Sequence, residues 1–480
     1  MIYLGVILVY LFTLIAIGIV KSRKINTQSD FALAGRTLTP WVLVGTMLAT
    51  WIGTGSILGN AGKTYETGMA ALMLPIGSTL GIILLTRIAS KVRSAEKYTV
   101  PEIIGDRYGA VARNLSVFAL VMAYMVIVSY QYNAGGAVLY TILADNTGTS
   151  IISIELATII AAVFIIAYTM LAGLLSVAYT DAANSIIMTL ALVISLPILW
   201  IKAGSWSGME TAFAAMNKSQ HMQFGGVYST MDIINFCLPP FLLVIGDANM
   251  YQRFSASKDV QSARYSTTIL VFAVLFIELL IIASAWVSSS MIPEAEVGKH
   301  VLIYAAHQFL PTFLGAIMLT TIVGIIISTA DSFLLVPANS LIRDIYLNYI
   351  NPQASEKNIV RLSRLLVLML GIIAYIVSIG FSRSAGFFER ALYAYTIYGA
   401  AITPALVAAL FWKGATKEGA VASIICGILV TLFWKELPGL WFWLPTEWYI
   451  SLDEVLPAIS GSLLALICVS YLTQKADPGK

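Results

Sequence analysis

The chain has 480 residues, of which 59% are hydrophobic and only 11% charged, and its mean hydropathy is +0.85. That leaves too little polar surface for a soluble enzyme or binding domain of this length, so a membrane-embedded chain is expected. The net charge of +3 carries no signature of nucleic-acid binding, and no nucleic-acid partner is expected.

Apolar stretches about 20 residues long match the thickness of a bilayer core. In chain order they fall at 2–20, 40–64, 68–88, 113–142, 150–172, 180–201, 229–252, 266–290, 312–346, 360–380, 386–412, 418–435 and 455–473. About thirteen transmembrane helices are therefore expected in an all-α membrane protein with the lipid bilayer around it. The expected organisation is a single transporter domain over 1–480. It has a leading helix and cytoplasmic loop at 1–39, a first repeat at 40–201, a second at 229–412 and two further helices in 413–480.

The first stretch is followed at once by Lys21, Arg23 and Lys24, and it lacks a basic start and a small-residue cleavage site. It reads as a retained span and not as a signal peptide. Placing the loop after it in the cytoplasm puts most of the 28 Lys and Arg on that side. The clusters are Arg87, Lys91, Arg93 and Lys97; Arg253, Lys258 and Arg264; Arg343, Lys357, Arg361 and Arg364; and Lys413 with Lys417. The opposite loops carry scattered cations such as Lys63, Lys218 and Lys299. An odd number of spans then leaves the N-terminus outside and the C-terminus in the cytoplasm of a plasma or inner membrane.

The second stretch contains the most telling run, 46–56, which is rich in small, hydroxyl-bearing and helix-weakening residues. A broken helix survives in hydrocarbon only where its freed backbone is buried in protein or lines a cavity. The run thus predicts a pathway in which backbone carbonyls at Ala49 and Ile52 hold an ion. Trp51 lies in the break itself, where it can stack on a solute or close over it. Gly53, Thr54, Gly55 and Ser56 follow as the candidate solute-facing segment.

The sixth stretch opens with Asp181, which either holds a cation or caps its helix. The seventh carries Pro239-Pro240 and then Gly246-Asp247, a second interruption. Paired interruptions in corresponding halves point to an inverted-repeat transporter with its site at the midplane. Asp247 would cap the second half-helix, face a cationic solute group or take part in proton traffic. In the ninth stretch Ile325, Ser328, Thr329 and Ser332 share one face by their i, i+3, i+4 and i+7 spacing. That face offers a carbonyl and hydroxyls, suitable ligands for a hard monovalent cation, or it packs closely on another helix. Asp331 stands one position off the stripe.

The aromatics Trp51, Tyr124, Tyr130, Tyr132, Tyr251, Tyr393, Tyr395 and Tyr398 fall on spans expected to surround a midplane cavity. Cys237, Cys426 and Cys468 have no paired spacing. His221, His300 and His307 have no ligand spacing for zinc. No nucleophile–base pair is evident in the spans, so an enzyme is not expected. No signalling module follows the last span, which weighs against a sensor.

Several motifs stand in register. They are Ser29-Asp30-Phe31-Ala32-Leu33-Ala34-Gly35-Arg36, Tyr98-Thr99-Val100-Pro101-Glu102, Ser176-Val177-Ala178-Tyr179-Thr180-Asp181, Tyr251-Gln252-Arg253-Phe254 and Ser328-Thr329-Ala330-Asp331-Ser332. In order and spacing the chain resembles the sodium:solute symporter family, which includes sodium-coupled sugar, proline, sialic acid and choline carriers. The segments at 49–51 and 176–181 look most like the choline branch, whereas Gly55-Ser56 replaces the Glu-Gln pair of sugar carriers. The resemblance implies a LeuT-like fold with one extra leading helix and Na+ as the coupling ion. By it, the core sodium falls to Ala49, Ile52, Ile325, Ser328 and Thr329. A second sodium would involve Asp181, Ser332 and Asp331. The solute is expected to meet Trp51, Gly53, Thr54, Gly55, Ser56, Tyr132, Asp247 and Tyr251. The expected function is sodium-coupled import of a small polar organic solute by alternating access. A proton-coupled or uncoupled carrier, or a choline or quaternary amine carrier, is the alternative, with a channel behind them.

Overall fold

The computed structural model describes residues 2–22, 25–144, 150–294, 298, 300–381, 386–434, 449 and 451–474. Arg23, Lys24 and Lys299, read above as loop cations, lie outside the described residues. Among the described residues the chain is helical with no β-sheet. Ten helices are long and apolar enough to cross a bilayer, or eleven with the pair Pro40–Trp51 and Gly55–Met73, which bends by 51° at its break.

Two further spans complete the expected thirteen. The helix Ile154–Lys202 has 49 residues and, if straight, would run about 74 Å, more than twice a bilayer core of about 30 Å. It is broken at Gly173, whose φ of 57° is left-handed. Tyr168 and Thr180 share a hydrogen bond of 3.2 Å between their side chains. Twelve residues of straight helix would separate them by about 18 Å, beyond the reach of both side chains, so the chain doubles back here. The fifth and sixth spans are its two arms. Lys417–Phe433, with 17 residues, is the twelfth.

The seventh span is interrupted as well. Thr230–Gly246 ends at Asp247, and Ala248–Ala256 restarts beyond it. Pro239 and Pro240 stay inside the first of these helices, so the break falls at Gly246-Asp247 and not at the prolines.

The ninth span, Thr312–Ser340, continues as the π-helical segment Leu341–Ile350 and lies at the centre of the bundle. The leading helix, Ile2–Ser22, lies at the periphery. Large side chains such as Phe118, Ile194, Phe272, Ile376 and Leu464 stay exposed on outer helix faces, where a bilayer would cover them. The second span comes very close to the sixth. A Cβ at Gly45 would lie 2.5 Å from the Cα of Ala182, so only glycine fits there.

At Gly173 an added methyl would meet Ile25 Cδ1 at 2.8 Å and Phe31 Cδ2 at 3.1 Å, on top of the left-handed φ. Gly173→Ala should destabilise the protein by about 1–3 kcal/mol. The readout is the melting temperature in detergent; an unchanged value would show that the turn tolerates a side chain.

Candidate functional site

The break in the second span frees two carbonyls, and the hydrogen bonds identify them. In a continuous helix Ala49 O would accept from Gly53 N and Ile52 O from Ser56 N. Here Gly53 N bonds to Trp51 O at 2.9 Å and Ser56 N to Gly53 O at 3.1 Å. Ala49 O and Ile52 O, two of the oxygens expected to hold sodium, therefore lose their helical partners.

The ninth span faces the break. Thr329 Oγ1 donates to Ala49 O at 3.3 Å, and a Cβ at Gly53 would lie 2.9 Å from that Oγ1. A hydroxyl and a carbonyl are oxygens of the kind that ligate a hard cation. Ile325, Ser328 and Thr329 are all buried.

Beside this pair stands a buried ionic network. Asp181 Oδ1 accepts from Ser328 Oγ, and its Oδ2 accepts from Thr46 Oγ1 at 2.6 Å. Arg253 is fully buried. Its Nε donates to Thr46 Oγ1 at 3.1 Å, its Nη1 to Asn249 O at 3.3 Å and its Nη2 to Ser332 Oγ at 2.6 Å. The same Nη2 lies 3.7 Å from Asp181 Oδ2. The guanidinium thus stands between Asp181 and Ser332, the pair expected to share a second sodium. Asp331 turns elsewhere and accepts from Thr169 Oγ1 on the fifth span. Arg253 also corrects the loop reading, since it lies inside the bundle and not in a cytoplasmic cluster.

Two cavities meet at one aromatic pair. Trp51 and Tyr395 stack with centroids 6.3 Å apart at 27°, and both residues line both cavities. The narrow cavity beside Thr329, the inner one with respect to the break, is lined by Thr50, Trp51, Gly53, Ile127, Tyr130, Gln131, Leu243, Thr329, Phe333 and Tyr395. None of these bears a charge. Gln131 is buried; its Oε1 accepts from Thr54 Oγ1 while its Nε2 has no partner. An unpaired buried donor costs about 1–3 kcal/mol unless a ligand accepts from it. The outer cavity, on the far side of the Trp51–Tyr395 pair, is lined by residues that include Gly55, Ser56 and Glu278.

Of the expected solute contacts, Trp51, Gly53, Gly55 and Ser56 line these cavities, while Thr54 reaches the inner one only through Gln131. Tyr132, Asp247 and Tyr251 line neither. The Tyr132 hydroxyl abuts Gly371 of the tenth span. Tyr251 Oη donates to Ile245 O at 3.1 Å across the seventh-span break. Asp247 caps the restarted half-helix, with its Oδ1 accepting from Asn249 N at 3.1 Å and from Tyr124 Oη. Sequence reasoning named neither Gln131 nor Glu278. A lone carboxylate inside the eighth apolar stretch was the available signal for Glu278.

The model of the sodium:solute symporter family matches residues 31–427. The chain is 26% identical to the sodium/proline symporter of Haemophilus influenzae, over 98% of this chain and 94% of that protein. It is 25% identical to the osmoregulated proline transporter OpuE of Bacillus subtilis, over 97% and 94%. With the sodium/proline symporter of Escherichia coli the identity is 24%, over 97% and 92%. A substrate-bound, outward-open Na+-coupled sialic acid symporter superposes with a TM-score of 0.81 at 15% identity, covering 99% of both chains. Mhp1, a nucleobase-cation-symport-1 family transporter, gives 0.58 at 12%, covering 94% of this chain and 97% of its own. These structural likenesses show the fold, the LeuT-like arrangement expected above.

Removing the guanidinium would leave Asp181 buried and unpaired. Arg253→Met should therefore destabilise the protein by about 3–5 kcal/mol, and adding Asp181→Asn should restore part of that loss. Thermal unfolding of the two variants decides it: equal stability of Arg253→Met and wild type would remove the network's structural role.

Proposed function

The chain belongs to the sodium:solute symporter family, and we propose that the solute it imports with sodium is a small zwitterionic amino acid of the proline class. The observation that carries this is the uncharged, aromatic-walled inner cavity with the free Gln131 amide donor. A zwitterion has no net charge to pair, so it needs no buried counter-ion. Its carboxylate can accept from Gln131 Nε2, and its apolar ring can lie against Tyr130, Phe333 and Trp51. The relatives named for proline agree with that chemistry.

Sodium sits, in this reading, among Ala49 O, Ile52 O, Ile325 O, Ser328 Oγ and Thr329 Oγ1. Thr329 belongs to both halves of the reading, because its hydroxyl reaches Ala49 O and it also forms part of the cavity wall. A bound ion would hold the broken second span against the ninth and so fix the wall that the solute meets. With Arg253 already beside Asp181 and Ser332, one sodium is proposed per cycle. The driving force suffices: about 2.3 kcal/mol per charge per 100 mV and about 1.4 kcal/mol for a tenfold sodium gradient. Together these support accumulation of a neutral solute by several hundredfold, to order of magnitude. The protein is a multi-pass membrane carrier. We place it in the cell membrane with its N-terminus outside, on the distribution of Lys and Arg.

A second reading has its own observation. Trp51, Tyr130, Phe333 and Tyr395 all line the inner cavity, and aromatic faces also receive quaternary ammonium groups. A thermal-shift series with proline and choline, each in sodium and in potassium, separates the two, since a ligand stabilises the state it binds. Stabilisation by proline only in sodium supports the main reading, and stabilisation by choline the second. A proline response indifferent to sodium would withdraw the proposed ion site.

Ser328→Ala should raise the sodium concentration for half-maximal uptake by about tenfold, the loss of one contact to a charge, and leave the solute KM near wild type at saturating sodium. Thr329→Ala should raise both. Uptake into proteoliposomes measures this, and an unchanged sodium dependence in both variants removes the site.

A further inference from the structure

Across the Trp51–Tyr395 pair from Thr329, the outer cavity contains a carboxyl side chain with no counter-ion among the described residues. Glu278 is 2% exposed and lies within the helix Val260–Ser289, in the apolar run of the eighth span. Its Oε1 accepts from Ser56 Oγ at 2.5 Å and its Oε2 from Asn60 Nδ2 at 3.0 Å. Both donors are neutral and both belong to the π-helical segment Gly55–Asn60 that follows the break. Among the described residues, no Lys, Arg or His pairs with this carboxylate; its partners are Ser56 and Asn60. A carboxylate offers about four lone-pair sites, so two remain for a ligand.

The walls around it are aromatic. Trp51, Tyr395, Phe236 and Phe388 line the same cavity. Two of these rings already receive a cation from the chain itself. Lys63 Nζ stands 5.4 Å from the centroid of Phe236 and 5.8 Å from that of Phe388. A buried carboxylate among aromatic faces is the chemistry that recognises an ammonium group. It is absent from the inner cavity, whose lining is uncharged.

We propose that Glu278, with Ser56 and Asn60 holding its oxygens, forms an outer subsite for the ammonium end of the incoming solute, ahead of the Trp51–Tyr395 pair. The proposal rests on the reading of the two cavities as one solute path. The inner cavity reads the carboxylate and ring of the solute, and the outer one reads its positive nitrogen. A cationic or zwitterionic solute is concentrated at the partition, whereas an anion is repelled there.

The test uses tetramethylammonium chloride as probe on the full-length protein in detergent, with sodium held constant. It carries the charge without the carboxylate that the inner cavity would read. Tetramethylammonium should stabilise the wild type saturably. In Glu278→Gln, which keeps the shape and an acceptor for Ser56, the concentration required should rise by about tenfold or more, as for the loss of a charged contact. The KM for proline uptake should rise with it, while the sodium requirement stays. An equal response in the two proteins, or none in the wild type, overturns the subsite. So does a variant whose sodium requirement rises while its tetramethylammonium response is unchanged, because the carboxylate would then serve the ion. Should Glu278→Gln fail to fold, Phe388→Leu removes one aromatic face and should weaken the probe by about threefold; no weakening again overturns the proposal. A protein that binds the probe through Glu278 yet ignores proline keeps the subsite and loses the amino-acid assignment.

Discussion

Hydrocarbon offers no partner to an unpaired backbone group, and the rest of the site depends on how this chain meets that constraint at the second span. Gly53 N turns back to Trp51 O and Ser56 N to Gly53 O, which leaves Ala49 O and Ile52 O without helical donors. The freed oxygens are tolerable because the ninth span lies directly against them. Gly53 has no Cβ to keep that span away, and Thr329 reaches Ala49 O as a result. The same unwinding sets Trp51 against Tyr395 and aims Ser56 at Glu278. One local failure of helix geometry therefore positions the two freed carbonyls, the aromatic partition and the partner of the outer carboxylate together.

The second interruption has an electrostatic role. Asp247 caps the restarted half-helix through Asn249 N, and the helix Ala248–Ala256 carries Arg253 into the bundle. From there the guanidinium touches Thr46 on the second span and Ser332 on the ninth, and it stands beside Asp181 on the sixth. A buried ion pair adds little net stability, but breaking one is costly. Such a network is suited to specifying which helices meet. It also supplies, from the protein, a positive charge beside Asp181.

What the sequence made legible follows from what composition and periodicity can encode. A helix break is written in small and hydroxyl residues, so Ala49, Ile52 and Gly53 could be picked out before any coordinates. A helix face is fixed by spacing, so Ser328 and Thr329 emerged as one stripe. Neither signal says which neighbour a face meets. Asp331 lies one residue from Ser332, but one residue turns a helix by about 100°, and that carries its carboxylate to Thr169. For the same reason Tyr132 and Tyr251 line neither of the two cavities described. Arg253 was misplaced because a span ends, in a hydropathy reading, at its first charge, whereas a paired charge can continue inside. Glu278 stood in plain view in an apolar stretch, but its meaning depends on Ser56 and Asn60, more than two hundred positions away in the chain.

Coupling between ion and solute needs each ligand to favour the same arrangement, by a difference in its affinity for the alternatives. Here that difference has a physical carrier. Thr329 is bonded to the freed carbonyl of Ala49 and also faces the inner cavity, so any movement of the second span away from the ninth disturbs both places at once. Trp51 adds a steric term, because it is attached to the same break and lines both cavities. An ion that holds the break closed therefore fixes the ring that separates them. An empty site leaves that ring free to follow the span. The arrangement requires no long relay through the protein, since Gly53, Thr329 and Trp51 all line the inner cavity.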